Sequence, residues 1–185
     1  IQEVKNKQGK LLRLGLYNME GRTSSGMALN EAAVQHMASV AYNANMDTVK
    51  YYNMEFATES PDFYPLQTAL LNEMIYFTGS YPLYHSTLYS NDVFKNTFIA
   101  KSNARTYAQI EKNFDLILEY ESQLSNQVYK LSICSDEQKG INKINRINSK
   151  IDAYKKVILE KTLETQNIIL FNCFTNELAS IKTLE

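Results

Sequence analysis

Apolar residues recur at spacings of three and four along the second half of the chain, and from Leu83 to Glu185 they meet no proline and a single glycine, Gly140. Such spacing gathers side chains on one face of an α-helix. Two long stripes separated by one glycine predict a mainly α fold built on an elongated antiparallel helical hairpin, with arms at about 101–131 and 141–181. On the first arm Tyr107, Ile110, Phe114, Ile117, Leu124, Val128 and Leu131 keep a period of about 3.5, the seam of a coiled-coil-like pair, interrupted by Glu121. On the second, Ile141, Ile144, Ile147, Ile151, Tyr154 and Ile158 form a stripe that Leu163, Leu170, Phe174, Leu178 and Ile181 continue. Ser135 followed by Gln138 reads as a capping box that opens this arm.

The arms are unequal: about 28 residues, or ~42 Å, against about 40 residues, or ~60 Å. The surplus of the longer arm includes Ile168, Ile169, Leu170, Phe171, Cys173 and Phe174, which are apolar on several faces and need cover from more than one side. That cover is expected from residues 28–100, which leaves the turn from Ser132 to Gly140 as the distal tip.

The preceding part, residues 1–100, reads as a smaller, mostly helical base with irregular Tyr-rich loops, sharing one core with the hairpin at 101–185. Leu11 to Tyr17 and Val49 to Phe56 are each compatible with strand or helix. From Ala28 to about Met46 one helical face carries Leu29, Ala33, Val34, Met37, Val40 and Ala41, with Asn30 or Ser25 near its start as a cap. A second short helix runs from Leu66 to Phe77 with Leu66, Ala69, Leu70, Met74 and Phe77 inward, closed by Thr78 and Gly79. The stretch from Ser80 to Asp92 is so rich in Tyr, Ser and Thr that it resists helix assignment and is expected to be a loop.

Charge divides the chain further. Residues 1–22 carry five bases and two acids, residues 23–100 two bases and seven acids, and the formal net charge is -1. With no global basic field, nucleic-acid binding is not expected. The middle third also holds eight of the 13 tyrosines and five of the eight phenylalanines. Few charges among many aromatics mark a buried core or a contacted surface. The apolar runs fall short of the roughly 20 residues that cross a bilayer, so no direct membrane insertion is expected within these residues. Ile1 in place of methionine suggests an excised or processed segment, and the compartment stays open with a lean to an exported or extracytoplasmic one.

Few residues carry chemistry. His36 and His85 belong to no ligand pattern, so neither a metal nor a cofactor is expected, and His36 beside Met37 on an apolar helix face reads as structural. Cys134 and Cys173 would lie ~55 Å apart in the hairpin, too far for a disulfide. Gly21 to Gly26 lacks the Lys-Ser/Thr of a phosphate loop. Glu55, Glu59, Asp62 and Glu73 gather acidity near the proline turn and read as a solvated face. Tyr84-His85-Ser86-Thr87 resembles the strand-borne Tyr-His-Gly-Thr tract of some ADP-ribosyltransferases but has Ser86 in place of the glycine, and no family is assigned on it.

The expected role is therefore that of a non-enzymatic protein–protein interaction module. Its candidate binding residues are Tyr81, Tyr84, His85, Tyr89 and Asn91, with Ser135, Asp136 and Gln138 at the hairpin tip as a second interface. The partner is expected to be another protein, or a second copy joined through the hairpin. Two rivals stand beside this reading: an extracytoplasmic sensor or secretion component, and an enzyme or toxin fragment using His85 with Tyr84 and an acid from the Glu55 to Glu73 group.

Overall fold

The computed structural model describes residues 1–20, 24–51, 54–133 and 140–182. It is mainly α, with a long hairpin of α5 (Ala104–Ser132) and α6 (Gly140–Lys182) packed on a smaller, mostly helical part. The arms are antiparallel: Gln109 bonds Glu164 at 3.0 Å, while Tyr120 packs against Tyr154 with ring centroids 5.8 Å apart. Their 29 and 43 residues correspond to about 43 and 64 Å. Asn103 caps the first arm by accepting the Thr106 amide at 2.9 Å. The proposed tip residues Ser135, Asp136 and Gln138 lie outside the described residues, as does Cys134.

The seam departs from the expected stripe in two places. On α6 the buried line runs Ile147, Ile151, Ile158, Thr162, Thr165, Ile169 and Cys173, while Leu163 and Leu170 sit half-buried at its edge and Phe174, Leu178 and Ile181 are exposed. Two threonines can replace leucines here because each hydroxyl returns to its own helix, Thr162 to the Ile158 carbonyl at 2.8 Å and Thr165 to that of Lys161 at 2.7 Å. On α5, Gln127 is buried and Val128 is exposed. Glu121 interrupts the apolar spacing because it faces the base, where its carboxylate accepts from Gln67 Nε2 at 2.5 Å.

Both segments left open between strand and helix are strands. β1 (Glu3–Lys5), β2 (Leu11–Leu14) and β3 (Tyr17–Asn18) form an antiparallel meander. β4 (Asp47–Tyr51) and β5 (Met54–Thr58) form a hairpin in register from Asp47↔Thr58 to Tyr51↔Met54. Between the sheets α1 (Met27–Ala41) stops short of Met46 and presents a different face from the expected one: Ala28, Leu29, Ala32, Ala33 and His36 are buried, Val34 and Val40 exposed. Neither Ser25 nor Asn30 caps it. Gly26 occupies the cap with φ 76, and Asp115 of α5 accepts the amides of Gly26 and Ala28 at 2.8 and 2.9 Å. Asn30 is instead buried and accepts the Leu16 amide at 2.9 Å.

α2 (Pro65–Thr78) buries Leu66, Ala69, Leu70, Met74 and Phe77 as its spacing predicts, and Gly79 ends it. The stretch expected to be a loop is α3 (Ser80–Tyr89), followed after a short turn by α4 (Val93–Lys101). Burial of Leu83, Ser86 and Thr87 stabilises α3 against its weak propensity. Its inward hydroxyls are satisfied, with Thr87 donating to the Leu83 carbonyl at 2.9 Å and Ser86 accepting the Phe94 amide at 2.7 Å. One apolar cluster joins α1, α2, α3, α4 and both arms, through Leu29, Leu70, Met74, Phe94, Phe114 and Ile158 among others.

The base meets the longer arm towards its C-terminal end. Gln166 donates to Glu73 of α2, and Asn176 Nδ2 donates to the carbonyls of Lys101 and Ser102 at 2.9 and 3.0 Å.

Candidate functional site

Helix α3 splits the five sequence-predicted binding residues. Tyr81, His85 and Tyr89, spaced by four, share its outer face, with the His85 ring centroid 5.8 Å from Tyr81 and 4.9 Å from Tyr89. Tyr81 and Tyr89 are exposed. Tyr84 turns inward, its hydroxyl 3.4 Å from His36 Nε2. Asn91 belongs to the following turn: its Nδ2 donates to His85 Nδ1 at 3.0 Å, and its Oδ1 accepts from Ser86 and from the Val93 amide, both at 3.1 Å. Arg13 fastens that turn to the meander through Asp92 and the Asn91 carbonyl, both at 2.7 Å. The segment resembling an ADP-ribosyltransferase strand is thus helical, and its histidine is held by an asparagine.

The acidic group splits: Glu55 and Asp62 are exposed as expected of a solvated face, whereas Glu59 and Glu73 are drawn inward. Glu59 is buried, with Oε1 2.6 Å from His36 Nδ1 and Oε2 accepting from Asn72 Nδ2 at 2.5 Å. Burial pushes its pKa up, but the hydrogen bonds from His36 and Asn72 outweigh that and hold it below the ordinary carboxylate value. The acid therefore pairs with His36 rather than His85. With both imidazole nitrogens of His36 engaged, the cluster joins α1, β5, α2 and α3 and offers no free base. Cys173 is buried at the α6 seam, where burial raises its thiol pKa to about 11 and suppresses its reactivity.

A groove of about 460 Å³ opens where α2, β5 and α6 converge. Its floor and walls include Phe56, Tyr76, Phe77, Leu170 and Phe174, with Glu73 and Gln166 among them. Phe77 is buried, whereas Tyr76 is 74% exposed and Phe174 is 43% exposed, and Phe171 on the next face of α6 is 73% exposed. Tyr76 and Phe77 both pack against Phe174, at centroid distances of 6.3 and 5.0 Å. The sequence marks this part of α6 as needing cover from several sides, and the base supplies it only in part. Ile169 and Cys173 are sealed, while Phe171, Phe174, Leu178 and Ile181 face outward. The cover expected from residues 28–100 is therefore partial. The signal for a surface here is the same apolar run, read as incompletely covered rather than enclosed.

Among the described residues no group of three or more His, Cys, Asp or Glu side chains is placed to hold a metal ion, and no helix is long and apolar enough to cross a membrane. No protein-family model, no curated protein and no solved structure matches this chain.

Proposed function

We propose that the chain is a non-enzymatic protein-binding module whose docking surface is the groove between α2, β5 and the C-terminal part of α6. One observation carries the reading: Tyr76 and Phe174, 74% and 43% exposed, pack against each other on the lining of a pre-formed apolar groove. Contiguous exposed aromatics of this kind are costly to leave in water, and they match the anchors on which binding energy concentrates. The histidine chemistry favours the same reading over an enzyme, since His36 is enclosed by Glu59 and Tyr84 and His85 is held by Asn91.

The reading is tested by placing a photo-crosslinking phenylalanine analogue at position 76 and, in a separate variant, at position 129, an exposed tyrosine on α5. In an extract from the source cells, position 76 is expected to give a discrete adduct that Phe174→Ser suppresses and position 129 to give none. No adduct at position 76, or equal adducts from both positions, would overturn the reading.

A further inference from the structure

We infer that the groove receives an amphipathic helix of a partner protein, one whose apolar anchors flank a lysine or arginine seated on Glu73. This rests on the docking role proposed above and adds the chemistry of what docks.

Shape selects a helix. One side is lined by the row Gln166, Leu170 and Phe174 of α6, at steps of four, and another by the row Ala69, Glu73 and Tyr76 of α2, at steps of four and three. Two helical ridges with a furrow between them accept the ridge of a third helix. The volume suits the anchors of such a helix, because pockets of roughly 300–1,000 Å³ enclose ligands of that bulk.

Charge selects a base. Among the described residues the charged side chains that line the groove are Glu55 and Glu73, with no lysine or arginine beside them. Glu55 already pairs with Lys50 at 2.9 Å, in solvent. Glu73 has no such partner: one oxygen accepts from the neutral Gln166 amide, and Oε2 is buried without a hydrogen bond among the described residues. A half-satisfied carboxylate in an apolar setting is unfavourable, and a donor that reaches it recovers that cost. Burial accordingly raises its pKa, with the Gln166 bond acting in the opposite sense. An ammonium or guanidinium entering with the partner stabilises the ionised form through a charge-assisted bond, once the carboxyl rotates Oε2 towards it. An acidic segment meets repulsion at the same place.

A displayed library of amphipathic helices panned on the intact chain tests this, with Glu73→Gln, Phe174→Ser and Tyr81→Ala/Tyr89→Ala as parallel targets whose helicity is checked by circular dichroism. Wild-type selection should enrich helices with one Lys or Arg at a fixed offset from two large apolar residues. Replacing that base by norleucine in the best helix should weaken binding about tenfold on wild type and far less on Glu73→Gln. Enriched helices without a base, or equal losses on both targets, overturn the charge assignment while leaving the groove intact. Binding that is indifferent to Phe174→Ser, or no enrichment at all, overturns the docking role itself.

Discussion

The rings of Phe77 and Phe174 meet edge to face, with centroids 5.0 Å apart and planes at 81°, and this contact fastens the end of α2 to α6. Phe77 belongs to the core, whereas Phe174 is partly in solvent, so the pair joins the interior to the groove. Such a contact contributes about 0.5–1.5 kcal/mol beyond the area it buries. Phe174→Ala should therefore lower unfolding stability by about 1–2 kcal/mol in urea titration, while Phe171→Ala should stay within about 0.5 kcal/mol.

A single carboxylate on α5 organises the start of α1. Asp115 accepts from both Gly26 and Ala28, taking the place of a local cap. Asp115→Ala leaves both amides without these acceptors and should cost about 1–2 kcal/mol. Hydrogen exchange should show the loss first at the Ala28 amide, with the hairpin amides little affected.

Glu59 and His36 form a buried hydrogen-bonded pair, with Oε1 2.6 Å from Nδ1. Glu59→Gln exchanges the charge-assisted hydrogen bonds from His36 and Asn72 for neutral ones and should cost about 1–2 kcal/mol near neutral pH. Because the native carboxyl has a lowered pKa, its stabilisation is complete above the ordinary value of 4.5 and is lost as pH falls through the native value. The stability difference between wild type and variant should accordingly shrink below about pH 4.5.

Glu121 titrates in the opposite sense. Burial raises its pKa, with the hydrogen bond from Gln67 opposing that shift. The raised native value makes its contribution full below 4.5 and lost as pH rises through that native value. Glu121→Gln, which keeps an oxygen to accept from Gln67, should be more stable than wild type at pH 7.5. Its advantage should fade as the pH approaches 4.5, in paired urea titrations.

The hairpin was legible because long apolar stripes free of proline admit few alternatives, and even the interruption at Glu121 marked a residue facing the base. The α1 register misled because Val34 and Val40 look like core residues and Asn30, whose burial depends on its bond to Leu16, looks like a cap, whereas the structural reading of His36 matches its burial against Glu59. No local pattern reveals that Asp115, 89 positions along the chain from Gly26, caps the helix that starts there. Helix α3 defeated propensity through tertiary burial of Ser86 and Thr87. The inward turn of Tyr84 then followed from helical geometry, which directs neighbouring residues to different faces. The groove was half legible: the sequence showed that Ile168 to Phe174 needs cover, but not that Phe171 and Phe174 stay outside it.

The dissociation constant of the partner crosslinked through position 76 tests the docking role most directly, compared between Tyr76→Ala/Phe174→Ser and Tyr81→Ala/Tyr89→Ala. Loss of the groove aromatics should weaken binding by about 30-fold or more, the scale of two or more kcal/mol at an anchor, with the α3 variant within about twofold of wild type. Binding that survives loss of the groove aromatics and fails with the α3 pair would contradict the account.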